Sequence, residues 1–156
     1  MAIISVIIPT FNRATLIRRA LCSVVQQRNV EIEIIVVDDG STDNTEQLIK
    51  EEFKCIRYIK QNHAGVSAAR NVGINNAKGN FIALLDSDDE WEKLKLDIQL
   101  QYLMKNPAIN LVHCNEKWIK EGIEIGQKKY HDKNSKNLFE RSLRRCLISP
   151  SSVLIR

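Results

Sequence analysis

Asp86-Ser87-Asp88 is the stretch of this sequence best suited to chemistry. The run Phe81 to Leu85 ahead of it is apolar throughout, so two carboxylates two positions apart stand at the end of a strand, where they offer hard oxygen ligands to Mg²⁺ or Mn²⁺. Such an ion keeps open positions for phosphate oxygens, and as a Lewis acid it neutralises the charge that grows on a diphosphate leaving group. The same residues fit a plainer role, in which Asp88 or Asp89 caps a helix beginning after Trp91, and the two roles are compatible. Asp38-Asp39, at the end of another apolar run, either accept from a ligand's donors or form a turn that leads into Asp43. Arg70 either reaches a phosphate with its forked guanidinium or lies on the exposed face of a helix.

These residues need a frame, and the N-terminal two thirds supply one. Short β-branched runs at Ile3–Ile8, Ile32–Val37, Ile56–Lys60 and Phe81–Leu85 alternate with helical patterns, which predicts β-α-β units and a mostly parallel sheet flanked by helices. Apolar spacing at Ile17, Ala20, Leu21, Val24 and Val25 predicts a helix over 13–27. Asp43 with Glu46 resembles a capping box and predicts a second helix over 44–53. The third, Val66 to Ala77, carries the small residues Ala68, Ala69 and Gly73, which permit a close approach to the sheet, and Gly79 stands where a helix stops. A fourth, Glu92 to Lys105, ends ahead of Pro107.

Ligands of open α/β sheets sit at the C-terminal edge of the strands. Here the residues at that edge are Pro9-Thr10-Phe11-Asn12, Asp38-Asp39-Gly40-Ser41, Asn62-His63-Ala64-Gly65 and Asp86-Ser87-Asp88-Asp89. Beyond Pro107 the pattern weakens: Ile109–Ile119 reads as a strand, Gly122–Gly126 as a turn region, Asn134–Leu147 as a helix, and Ser151–Arg156 as the opening of another strand, which suggests a domain truncated at its C-terminus.

With 44% hydrophobic and 27% charged residues, the 156-residue chain is one ordered domain. No apolar run approaches the roughly 20 residues that span a bilayer, and four scattered cysteines without a secretory leader read as reduced thiols in a cytoplasmic protein. Residues 117–156 hold 10 basic and 4 acidic side chains. That excess is either a solvated face or a patch for peripheral contact with an anionic membrane surface. The turn Pro9–Arg13 lacks the glycines of a dinucleotide-binding loop, and no Gly-Lys-Ser/Thr is present, which excludes two common nucleotide folds. A phosphoacceptor receiver is excluded because its acidic pair follows the first strand rather than the second. His63, His113 and His131 have no zinc-ligand spacing with any cysteine, and Trp91 and Trp118 read as packing residues.

Four segments in this order, Val6-Ile-Ile-Pro-Thr-Phe-Asn-Arg13, Val37-Asp-Asp-Gly-Ser-Thr-Asp43, Gly65-Val-Ser-Ala-Ala-Arg-Asn71 and Leu85-Asp-Ser-Asp-Asp89, resemble glycosyltransferase family 2. The resemblance implies a GT-A fold and metal-dependent, inverting transfer of a sugar from a nucleoside-diphosphate sugar, usually the uridine form, to a saccharide or lipid-linked acceptor in cell-surface polysaccharide assembly. It further implies that Pro9, Thr10 and Asp39 hold the base and that Arg70 lies beside the phosphates. Asp86 and Ser87 then contact the donor, with Asp86 and Asp88 on the Mn²⁺ or Mg²⁺. Residues 1–105 become the donor-binding half and 106–156 the start of an incomplete acceptor-side half. The family's general base is expected beyond residue 156. Glu116, Glu121, Glu124 and Asp132 fit no base motif, so the alternative is a non-catalytic nucleotide-sugar-binding domain. The implied partners include no nucleic acid, and the oligomeric state is left open.

Overall fold

Strand β1 (Ile3–Thr10) lies in the middle of a six-stranded sheet, and its residues 4–10 are all buried. The computed structural model describes residues 3–127, 131–133, 137–144 and 146–156. The sheet is completed by β2 (Glu31–Asp38), β3 (Arg57–Lys60), β4 (Phe81–Leu84), β5 (Leu111–His113) and β8 (Val153–Ile155), in the order β3-β2-β1-β4-β8-β5. The first four strands run parallel, and β8 is antiparallel to both β4 and β5. Continuous apolar runs form β1 and the end of β2 because helices cover both faces.

Ile4, Val6 and Ile8 point to one face, where α1 (Ala14–Val25) packs Ile17, Ala20, Leu21 and Val24 against them. Ile49 of α2 (Thr45–Glu52) and Leu96 and Leu103 of α4 (Lys95–Lys105) complete that core. On the opposite face α3 (Val66–Asn75) lies on β1 and β2, with Ala69 against Ile35 and Val37. A Cβ added to Gly73 would come within 2.3 Å of Ile7 Cγ2, so the close approach predicted from small residues is real and rests on Gly73.

Three local expectations need correction. Gly79 does not end a helix: α3 is capped by Asn76, whose amide bonds the Val72 carbonyl at 2.9 Å. Gly79 is needed because a Cβ there would meet Ile3 O at 2.6 Å, and its N–H is donated to Ser5 Oγ and Glu33 Oε1. Asp43 and Glu46 make no capping box, because Asn44 rather than Asp43 is the N-cap residue of α2. Asp43 instead accepts from Thr45 N at 3.0 Å and from Ala14 N at 3.1 Å, joining the starts of α1 and α2, while Glu46 pairs with Lys50 and Lys60. The long strand expected over 109–119 is broken into β5 and β6 (Trp118–Lys120).

The second of these pairs with β7 (Ile123–Ile125) in a separate hairpin. Glu121 and Gly122 form its two-residue turn, both at positive φ as such turns require. Of the helix expected over 134–147, α5 (Leu138–Arg144) is observed, and residues 134–136 and 145 lie outside the described residues. A 3₁₀ turn, Pro150–Ser152, precedes β8. Among the described residues no helix is long and apolar enough to cross a membrane, and none of the four cysteines is bonded to another.

Candidate active site

The C-terminal ends of β1, β2 and β4 and the start of α3 enclose a cleft of about 400 Å³. Pro9, Thr10, Asp39, Arg70, Asp86, Ser87 and Asp88 all line it, so the residues that the family resemblance implies for donor and cation lie around one cleft, whereas Asp38 does not line it. Phe11, Arg13, His63, Val66 and Ala69 line it too. The strand-edge rule flagged the segments that hold Phe11 and His63 without assigning either side chain.

The wall at β1 and β2 is held by cross-links between their following loops. Asp39 N donates to Thr10 O at 2.8 Å, and Asn12 takes positive φ so that its amide oxygen accepts from Thr42 N at 2.8 Å. Of the two aspartates after β2, Asp38 is the turn residue: it accepts from Ser41 N at 2.7 Å and from the Tyr58 hydroxyl, which burial and this carboxylate push well above a phenol's usual pKa. Asp39 is the one that lines the cleft.

Asp39 is 2% exposed, and its carboxylate organises the loop that leads into α3. Oδ1 accepts from Gln61 Nε2 at 2.6 Å and Ala64 N at 2.9 Å. Oδ2 accepts from Gly65 N at 2.8 Å and lies 2.9 Å from His63 Nδ1. Burial pushes the Asp39 carboxyl up, but these donors outweigh it and hold the pKa below the usual carboxylate range. With four donors on about four lone-pair sites, Asp39 is nearly saturated by its own chain. The His63 ring is also 4.3 Å from the Phe11 ring at the mouth of the cleft.

Gly65 opens α3 at φ +92°, a conformation that favours glycine, and the first turns of the helix carry Ala69 and Arg70 to the cleft. Arg70 is not on an exposed face: Nη2 meets Asp86 Oδ1 at 2.5 Å. Its Nε and the Thr10 hydroxyl are buried with no partner among the described residues. Two polar groups of residues that line one cleft are thus left unsatisfied by the described residues themselves.

Neither Asp88 nor Asp89 caps α4, whose N-cap residue is Leu94 without a side-chain cap bond. The acidic segment forms its own turn, with Asp89 N bonded to Asp86 O at 3.0 Å. Desolvation and the neighbouring charges of Asp88, Asp86 and Glu116 raise the Asp89 carboxyl against the lowering effect of a Ser151 hydrogen bond. Asp86 and Asp88 are hard oxygen donors on the same cleft, and among the described residues no group of three or more His, Cys, Asp or Glu holds a metal unaided. That donor set fits a divalent cation that takes its remaining ligands from a phosphorylated substrate and water.

The model of the family described as Glycosyl transferase family 2 matches residues 5–155. A putative teichuronic acid biosynthesis glycosyltransferase, TuaG of Bacillus subtilis, is 37% identical over 108 residues, covering 66% of this chain and 42% of TuaG. The crystal structure of Staphylococcus aureus TarS 1-349 in complex with UDP-GlcNAc superposes with a TM-score of 0.74 at 26% identity, over 96% of this chain and 44% of TarS. A mannosyltransferase from Pyrobaculum calidifontis, solved with GDP-Man and Mn²⁺, has a TM-score of 0.65 at 26% identity, over 73% of this chain and 35% of the other. The chain spans 22–25% of the length of the curated relatives that align with 153 of its residues. The α/β architecture is that of the GT-A fold, and the chain belongs to glycosyltransferase family 2.

Proposed function

We propose that this chain is the donor-binding part of a metal-dependent, inverting glycosyltransferase that moves a sugar from a UDP-sugar to a saccharide or lipid-linked acceptor during cell-surface polysaccharide assembly. The observation that carries the reading is the single cleft in which Thr10, Asp39, Arg70, Asp86 and Asp88 converge. UDP-GlcNAc in the TarS complex and the teichuronic acid role in the name of TuaG support the donor and the pathway class.

Pro9, Thr10 and Asp39 form the base end. A donor N–H reaches the Asp39 carboxylate by replacing one of its four present partners, and the side chains of His63, 61% exposed, and Gln61 are the ones that can turn away, whereas the N–H groups of Ala64 and Gly65 belong to the backbone. Arg70, on the cleft, would lie beside the phosphates while its Nη2 holds Asp86 in place. Ser87 is buried between the two carboxylates and contributes to the donor wall. Asp86 and Asp88 would hold Mg²⁺ or Mn²⁺, which supplies charge neutralisation at the diphosphate when bound. No carboxylate of this chain is assigned as the general base for the acceptor hydroxyl.

Calorimetric titration with UDP, in Mn²⁺ and in chelator, tests the reading alongside Asp88→Ala. Metal-dependent binding that disappears in the variant is expected; absence of UDP binding in every condition refutes the proposal. Acceptor-dependent sugar transfer then separates an enzyme from a non-catalytic nucleotide-sugar-binding domain.

A further inference from the structure

We propose that Ser151 is a positioning residue for the acidic turn Asp86–Asp89, fixing the carboxylates that hold donor and cation through hydrogen bonds at both ends of that turn. The inference rests on the function proposed above and adds a residue that no motif of the sequence marks.

Ser151 is buried on the 3₁₀ turn ahead of β8, more than 60 residues from the segment it serves. Its hydroxyl oxygen accepts from Asp86 N at 3.0 Å and its hydrogen is donated to Asp89 Oδ2 at 2.6 Å. One hydroxyl thus ties the first residue of the turn to the last. The Asp89 N to Asp86 O bond closes the same loop from inside, and Asp88 sits between the tied ends, with its carbonyl accepting from Arg19 at 2.7 Å. Ser151 is itself held from outside the cleft: its carbonyl accepts from Trp91 Nε1 at 2.7 Å, and the next carbonyl, of Ser152, accepts from Gln99 Nε2 at 2.8 Å.

The choice of residue follows from the two bonds. The oxygen must accept from a backbone N–H and donate to a carboxylate at once, which a hydroxyl does and an alanine or methionine does not. Without it, Asp86 N loses this acceptor and the Asp89 carboxylate loses its donor, so the spacing of Asp86 and Asp88 is no longer held. Groups that orient ligands in this way typically change metal affinity by about 10- to 100-fold when removed.

The test measures UDP affinity in Mn²⁺ and in chelator for wild type, Ser151→Ala and Ser151→Thr, with Ser151→Cys replacing the alanine variant if that one does not fold. Gln99→Met is the structural control, because it removes a bond to the same segment without touching the acidic turn. Expected is a loss of about 10- to 100-fold in Mn²⁺-dependent affinity for Ser151→Ala, recovery in Ser151→Thr, and wild-type affinity in Gln99→Met despite a lower Tm. Affinity within twofold of wild type in Ser151→Ala overturns the inference, as does an equal loss in Gln99→Met. Wild-type protein without metal-dependent UDP binding overturns the proposed function, and this inference with it; normal wild-type binding with an unaffected Ser151→Ala overturns this inference alone.

Discussion

Asp39→Asn keeps the shape of the side chain and removes its charge, so it asks how much the Asp39 carboxylate contributes to holding the loop that starts α3. The two oxygens now serve Gln61 and Ala64 on one side and Gly65 and His63 on the other. An asparagine oriented to keep the first pair turns its NH₂ toward Gly65 N, so one buried N–H loses its acceptor, at a cost of about 1–3 kcal/mol. The bonds that remain are no longer charge-assisted, which costs about 1 kcal/mol more. The sum is about 2–4 kcal/mol at neutral pH, readable as a shift of the midpoint in urea unfolding at unchanged slope. Its pH dependence has a definite sign. The folded-state pKa lies below the ordinary 3.8, so the stabilisation is complete above that value and is lost as pH falls through the lower folded pKa. The gap between wild type and variant is therefore flat from neutral pH down to about pH 5 and closes in more acid solution. A neutral-pH gap below about 0.5 kcal/mol, within the range of an ordinary surface change, refutes the argument. So does a gap that widens on acidification.

Gly73→Ala drives a methyl to within 2.3 Å of the buried Ile7; overpacking of about 1–3 kcal/mol against a helix-propensity gain of about 1 kcal/mol leaves a net loss of up to about 2 kcal/mol. The penalty is expected to vanish in an Ile7→Ala background, and a double-mutant cycle in urea measures it. Lys95 is 8% exposed, and burial lowers its pKa from 10.5 to about 8. Because the unfolded chain binds the proton more tightly, wild-type stability relative to Lys95→Met rises as pH climbs from about 8 to 10.5, and the methionine variant is the more stable at pH 7. The shift is equivalent to about 3 kcal/mol and the lost contact of Nζ over Trp91, 3.9 Å from the ring centroid, to about 1–2 kcal/mol. A net gain of about 1–2 kcal/mol in Lys95→Met is expected from urea unfolding at pH 7, and a net loss there contradicts the reasoning.

The frame of the site is legible in the sequence because each of its parts is local. A continuous apolar run marks a strand covered on both faces, and the polar residues after it fall at the ligand edge whatever the partner strands are; that is how Thr10, Asp39 and Asp86 were found together. Local patterns mislead where a tertiary contact competes for the same residue type. Gly79 follows a helix, as a stop signal does, yet it is glycine because β1 passes too close for a Cβ. Asp43 sits three residues before Glu46, as in a capping box, yet its carboxylate is shared between the starts of two helices, one of them 29 residues away from it in the chain.

Role is harder to read than place. Asp39 is expected to hold the base; it lines the cleft, and four partners of its own chain already occupy the carboxylate. An acidic residue on a ligand edge therefore has two claimants, and only the geometry shows that its own chain has already claimed this one. The same holds for the acidic turn, where the motif supplies the carboxylates but their spacing depends on Ser151, contributed by the antiparallel strand end that enters the sheet between β4 and β5. A hydroxyl that bonds across more than 60 residues leaves no periodicity or spacing to find. Strand β8 consequently does more than widen the sheet: its insertion beside β4 is what brings a donor and an acceptor to both ends of the turn that the proposed cation site requires.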